Sequence, residues 1–211
     1  MATALIAGAS GLVGGCLLRQ LLEAPEYDRV LALGRRRLDL AHAKLVQVVA
    51  DFGALEKVTA DLRCDDAFCC LGSTLRQAGS RENFRAVDHG AVLAFAWAAR
   101  RNGAGRFFVV TALGADAHSR VFYNRVKGET EEALGVLGFK TLAIFRPSLL
   151  LGPRAEKRRG ERLGAAVLWL ADPMLLGPLR KYRAIRAEVV ARAMLRCSFG
   201  RAGQGVLVFP S

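Results

Sequence analysis

Short apolar runs alternate with amphipathic stretches along most of this chain. The first run is residues 3–7, centred on Ala4-Leu5-Ile6-Ala7, and a helical apolar pattern follows over 12–22. Further strands are predicted at 29–33, 45–50, 66–71, 106–110 and 141–145. Helices are predicted at 53–61, 82–101 and 120–137, the last capped by Ser119. Continuous apolar runs bounded by turn residues describe strands buried on both faces. Strands and helices in alternation predict an α/β fold, a doubly wound parallel sheet with helices on both faces and right-handed crossovers. After residue 151 the pattern changes to a basic loop over 152–162 and an apolar stretch over 163–176. A helix at 187–197 and a strand at 205–209 then end the chain. With no repeat and no linker, residues 1–211 read as one domain, with 151–211 as a small C-terminal lobe on the substrate side.

The first strand–helix junction carries the most specific signal. The stretch TALIAGASGLVGG sets Gly8, Gly11 and Gly14 between the apolar run and the helix. Gly8 permits a tight turn, Gly11 keeps a side chain away from an approaching phosphate, and Gly14 lets the helix pack close to the strand. Backbone N–H groups at Ser10, Leu12 and Val13, with the positive end of the helix dipole, then face an anion. This arrangement suits the pyrophosphate of a dinucleotide. The second strand ends at Gly34-Arg35-Arg36-Arg37. At this point, about 20 residues past the turn, an acidic residue would bind the ribose 2′-OH of NAD. Arg35 and Arg36 instead suit a 2′-phosphate, which favours NADPH or NADP+ over NAD. A basic turn without a ligand is the alternative.

Other strand ends carry candidate contacts. Phe52 is placed to cover an adenine face and Asp51 to accept from its amino group, although Asp51 also suits a helix cap. Leu71 and Gly72 end the fourth strand, and the hydroxyls of Ser73 and Thr74 follow for ribose or phosphate. The fifth strand delivers Thr111 to the sheet rim, where its hydroxyl is a candidate catalytic group beside Tyr123 and Lys127. Tyr123 and Lys127 lie four residues apart in a helical pattern and share a face. An ammonium near a phenol favours its ionised form, so the pair suits proton transfer to or from a carbonyl oxygen as hydride moves. The alternative is an amphipathic surface helix with Lys127 paired to Glu131.

Composition narrows the setting. The net charge is +12, and the last 61 residues hold twelve Arg and Lys against four acids. A solvated basic surface is the simpler account, with a membrane-surface or protein-docking patch as the other. No aromatic-interleaved basic run suggests base stacking, so no specific nucleic acid is expected. Five cysteines without a CxxC pair, and three histidines, argue against a zinc site or a disulfide framework. Reduced thiols and no basic segment before the first apolar run suggest a cytoplasmic protein without a signal peptide.

These motifs together resemble the atypical short-chain dehydrogenase/reductases, in the NAD(P)-binding group of the Tat-interacting oxidoreductase-like proteins. The matching pieces are GASGLVG at 8–14, LGRR at 33–36, DF at 51–52, CCLGST at 69–74, VD at 87–88, LGAD at 113–116, YNRVKGETE at 123–131 and FRPSLLLGPR at 145–154. The segments KYRAI at 181–185 and VVARAM at 189–194 look similar as well. The resemblance implies a Rossmann fold, NADPH binding, Tyr123 as the acid–base residue and Lys127 as its partner. It also implies that the backbone of Arg146, Pro147, Ser148 and Leu149 lies along the nicotinamide. Relatives usually carry two serines after the fifth strand, where this chain has Thr111-Ala112. Two functions are therefore expected as alternatives. One is an NADPH-dependent reductase of a small apolar carbonyl compound, with 163–179 as a substrate lid or as core. The other is an NADP(H)-responsive regulatory protein with little turnover, acting through partners as a monomer or homodimer.

Overall fold

The computed structural model describes residues 2–55, 62–152, 183–200 and 203–210. Strands β1 (Ala2–Ala7), β2 (Tyr27–Gly34), β3 (Leu45–Val49), β4 (Asp66–Cys69), β5 (Arg106–Val110) and β6 (Thr141–Arg146) form the sheet. A short pair, β7 (Leu150–Leu151) and β8 (Ile185–Arg186), stands apart, and β9 (Gly205–Pro210) returns to the main sheet. The main sheet has the order β3-β2-β1-β4-β5-β6-β9, and every pairing is parallel. Helices α1 (Leu12–Glu23), α2 (Leu75–Ala78), α3 (Arg81–Arg85), α4 (Val92–Arg101), α5 (Phe122–Gly135) and α6 (Ala187–Phe199) are the α-helices of the described residues. This is the Rossmann-like, doubly wound architecture that the strand–helix alternation predicts. The strand order reverses between β1 and β4, so their carboxyl ends open a crevice where ligands bind in such sheets.

Alternation along the strands builds two cores. Leu5 and Ala7 of β1, with Phe107 and Val109 of β5, join Val92, Phe95 and Leu134 from α4 and α5. Ala4, Ile6 and Phe108 point the other way and join Leu17 and Leu21 of α1 and Val190 and Met194 of α6. Helix α1 buries Val13, Gly14, Leu17, Leu18, Leu21 and Leu22, the spacing of a single helical stripe. Each fully buried leucine on that stripe contributes roughly 1.5–3 kcal/mol.

The amino ends of the strands are tied together below the cores. Asp66 is fully buried, and it accepts from Tyr27 Oη at 2.5 Å and from Arg106 Nε and Nη2 at 2.6 Å each. Arg106 also donates to the Ser198 carbonyl, so β2, β4, β5 and α6 meet at one carboxylate.

Four local expectations change. The helix expected over 82–101 is α3, then a π-helical segment Ala86–Ala91, then α4. The helix expected over 120–137 starts at Phe122, and Ser119 accepts from the Val121 N–H at 3.2 Å instead of capping it. Asp51 caps a 3-10 turn, Phe52–Ala54, through Gly53 N–H, and residues 56–61 of the expected helix lie outside the described residues. The described parts of 183–210 are built into the main fold, with α6 against α1 and β9 on β6. The rest of the expected lobe, 153–182, including the apolar stretch with Trp169 and Met174, lies outside the described residues.

Candidate cofactor site and its proton-handling end

The crevice at the strand reversal is a cleft of about 1020 Å³. Gly8, Ser10, Gly11, Arg35, Arg36, Asp51, Phe52, Leu71 and Gly72 all line it. Gly8 has φ +83°, and a Cβ there would sit 2.4 Å from the Cys70 carbonyl oxygen. A Cβ on Gly14 would sit 2.2 Å from the Gly8 carbonyl oxygen, so α1 and β1 approach as closely as the glycine spacing predicts. Gly11 is the N-cap of α1 and offers no side-chain cap, which leaves the first-turn N–H groups directed at the cleft. Val13 is buried and Leu12 packs against the α1–α6 core, and the cleft lining at this turn ends at Gly11. A cradle closed to a Cβ at Gly8 and Gly14, an uncapped helix start and an arginine turn fit a dinucleotide.

The arginine turn is held in place by a residue that sequence reading overlooked. Gln47 of β3 accepts from Leu38 N–H at 2.7 Å and donates to the carbonyls of Leu38 and Leu40 at 3.1 and 2.9 Å. Its amide thus pins the chain just past Arg35–Arg37 to the sheet. The π-helical segment was overlooked too. Ala86, Val87, Gly90, Ala91 and Ala94 line the opposite wall of the cleft. Small residues at 86, 90 and 94 recur every fourth position, a legible sign of a helix face that something approaches closely.

Lys127 is buried behind the Gly72 wall of the cleft. Its Nζ lies 2.7 Å from Asp88 Oδ1, and Asp88 is fully buried in the π-helical segment. Asp88 Oδ2 accepts from Ser73 N–H at 2.8 Å and from Ser73 Oγ at 2.7 Å. A Cβ on Gly72 would stand 3.3 Å from Asp88 Oδ1 and 3.5 Å from Lys127 Nζ. The ion pair therefore lies directly behind a cleft-lining backbone. Tyr123, one turn before Lys127, packs its ring 5.3 Å from that of Phe84. Burial raises its pKa above the ordinary value; Lys127 pulls it down and Asp88 pushes it up. The expectation that Lys127 would leave Tyr123 more acidic than usual is thus reversed, because burial and the Asp88 charge outweigh the ammonium.

Several expected contacts are taken up within the protein. Glu131 is bound by Arg146, not by Lys127. Thr111 Oγ1 donates to Glu131 Oε1 at 2.6 Å and is buried, so its hydroxyl serves this second pair. The hydrogen bonds it donates to the Glu131 carboxylate keep Arg146 firmly charged. Ser73 donates to Asp88, and Thr74 caps α2 by accepting from Gln77 N–H at 3.2 Å. Ser148 donates to the Arg183 carbonyl. The Pro147 carbonyl accepts from Leu113 N–H, and that of Leu149 from Ile185 N–H, at 2.9 Å each. Arg146 and Pro147 border a separate, apolar cavity of about 670 Å³ against Val189, Val190 and Cys197. Cys69 is buried in the core and its thiol is pushed up to about 12 by burial, which makes it a packing residue.

A family model described as NAD(P)H-binding matches residues 8–135. Protein HTATIP2 of Rattus norvegicus is 38% identical over 195 residues, covering 90% of this chain and 78% of that protein. The chain belongs to this NAD(P)H-binding family. Protein FMP52, mitochondrial, of Eremothecium gossypii is 35% identical over 157 residues, covering 74% of this chain and 70% of that protein. The Bordetella bronchiseptica enzyme WbmH, solved with NAD+, superposes with TM-score 0.73 at 19% identity, covering 100% of this chain and 76% of that one. At that identity the likeness concerns the fold. Together these establish an NAD(P)H-binding protein with a Rossmann-like fold. They also correct the cytoplasmic expectation, because the fungal FMP52 relatives are named mitochondrial. Unpaired cysteines separate reducing from oxidising compartments but do not distinguish among the reducing ones.

Proposed function

We propose that this protein is an NADPH-dependent reductase of a small apolar carbonyl compound, with Tyr123 as proton donor and Lys127 as its partner. The observation that carries this reading is the position of the Lys127 ammonium. It is buried, yet a single glycine backbone, that of Gly72, separates it from the dinucleotide cleft. A surface helix would leave that lysine in solvent. A bound nicotinamide supplies hydride to the carbonyl carbon. Tyr123 gives its phenolic proton to the carbonyl oxygen and recovers one from water. Lys127 lies one turn along the same helix and steadies the charge left on the phenol. Arg35 and Arg36, both exposed on the cleft rim, suit the 2′-phosphate of NADPH.

Calorimetric titration with NADPH and NADH tests the cofactor half of this reading. NADPH should bind more tightly, and Arg35→Ala/Arg36→Ala should remove most of the difference; equal affinities in the parent protein rule the preference out. A panel of aldehydes and ketones, followed by NADPH absorbance, tests the reductase half, with Tyr123→Phe as the inactive control. A second reading is an NADP(H)-responsive regulatory protein with little turnover. Its support is Thr111, whose hydroxyl is held by Glu131, next to Ala112, which has none. Tight NADPH binding with no turnover across the panel selects it. Docking of that form to a protein or membrane surface through the basic residues after 151 belongs to this second reading.

A further inference from the structure

We infer that Asp88 is a positioning residue that keeps Tyr123 a neutral phenol, so that its proton is in place for a carbonyl oxygen. The inference rests on the reductase reading above. It begins with the placement of a carboxylate that has no contact with solvent. Asp88 is fully buried, and each of its oxygens is committed. Oδ2 takes two hydrogen bonds from Ser73, and Oδ1 takes the Lys127 ammonium at 2.7 Å. No other donor reaches Oδ1 among the described residues.

Two elements are joined by this one side chain. Ser73 follows the cleft-lining Gly72 after β4, and Lys127 belongs to α5. The π-helical segment turns Asp88 inward while Ala86 and Gly90 stay exposed on the cleft side. Gly72 leaves no side chain between the pair and the cleft. Removing the Asp88 charge would leave a buried, unpaired ammonium, which is costly.

The electrostatic consequence falls on Tyr123. An unpaired ammonium one helical turn away stabilises a tyrosinate and makes the phenol a stronger acid. A carboxylate at contact distance from that ammonium turns the charge into a compact dipole with a much weaker field. The charged groups acting on the phenol are Lys127, from its own helix, and Asp88, from the π-helical segment. From α3 the neighbour is the uncharged Phe84 ring. His89, beside Asp88, turns to Thr130 Oγ1 at 3.2 Å. With the pair intact the phenol O–H bond survives until a carbonyl oxygen accepts its proton, and the resulting phenolate is reprotonated by water.

The test uses the full chain without cofactor. Tyrosinate absorbance is followed against pH for the parent and for Asp88→Asn. Each is repeated in the Tyr123→Phe background, so that the difference isolates Tyr123 from Tyr27 and Tyr182. Circular dichroism on the same samples marks the pH at which the fold is lost. In Asp88→Asn, Tyr123 should ionise at least about one pH unit below the parent, about tenfold in acidity, while the fold is intact. An unchanged or higher midpoint overturns the inference. If Asp88→Asn does not fold, Asp88→Asn/Lys127→Met removes both charges. Its Tyr123 midpoint should return to within a few tenths of a pH unit of the parent, and a drop of about a unit overturns the inference. The reductase reading fails separately, by absence of turnover across the carbonyl panel, a result that leaves the tyrosinate titration unaffected.

Discussion

Gly128 sits where the fold and the chemistry are most tightly coupled, and Gly128→Ala should expose that coupling. A Cβ at Gly128 would lie 2.1 Å from Ala117 N and 2.2 Å from the Asp116 carbonyl carbon. Both are backbone atoms, so no rotamer change relieves the clash. Restoring an ordinary contact of 3.4 Å from 2.1 Å moves α5 away from the 116–117 loop by about 1.3 Å. Lys127 is the preceding residue, and its 2.7 Å contact with Asp88 stretches by a comparable amount. Two energies compete. Replacing glycine by alanine inside a helix gains up to ~1 kcal/mol of propensity. Overpacking against a fixed wall costs about 1–3 kcal/mol. The clash against backbone should win: a cost of ~3 kcal/mol less the ~1 kcal/mol gain leaves about 2 kcal/mol, which lowers Tm by about 4–8 °C for a chain of this length. Gly135 ends the same helix with nothing within 4 Å of its missing Cβ. Gly135→Ala should therefore hold or raise Tm, so the two variants carry opposite signs. Thermal denaturation reads the stability, and calorimetric NADPH titration checks that affinity stays within about threefold, under 1 kcal/mol. Turnover on any carbonyl substrate found should fall on the order of 10²-fold, the effect of a misplacement of about 1 Å. A Gly128→Ala protein as stable as its parent would refute the reasoning, since it would mean that the helix and loop separate without cost.

Three further outcomes are expected. Gln47→Ala removes the three hydrogen bonds that pin the chain past the arginine turn and should weaken NADPH more than NADH, by roughly 1 kcal/mol or more; equal losses for both cofactors, measured by titration, would show that the amide serves only the fold. Asp66→Ala leaves the Arg106 guanidinium without its carboxylate and should cost about 3–5 kcal/mol in denaturant melts, with NADPH affinity of the folded fraction retained because Asp66 lies at the amino end of β4, opposite the cleft at the carboxyl ends. Alkaline pH should destabilise the fold. Burial raises Cys64 and Cys69 from 9.0 to about 12, so these thiols ionise first in the unfolded chain. The stability they contribute is complete below about 9 and is lost as pH rises toward 12, which pH-dependent denaturant melts will reveal as a fall over that window.

Local pattern alone determined much of this protein. The apolar runs named six of the seven main-sheet strands within two residues or so at either end, and the last was placed at 205–209. Buried parallel strands need uninterrupted apolar sequence, and that need is written locally. The glycine loop and the arginine turn were legible for the same reason, since each acts through adjacent residues on one strand–loop junction. Contacts between distant segments were decided only in three dimensions. Lys127 could have paired with Glu131 one turn along its helix; instead it pairs with Asp88, 39 positions away, and Glu131 takes Arg146 and Thr111. A helical i,i+4 pair on an exposed face contributes only a few tenths of a kcal/mol. A buried ammonium must find a carboxylate in the core, and that requirement outranks local spacing. Burial of the phenol first, and the Asp88 charge beside it, leave Tyr123 less acidic than its neighbouring lysine suggested. The opening motif of the chain specified where a dinucleotide would lie, and the tertiary packing of the π-helical segment against α5 decided what charge meets it at the far end.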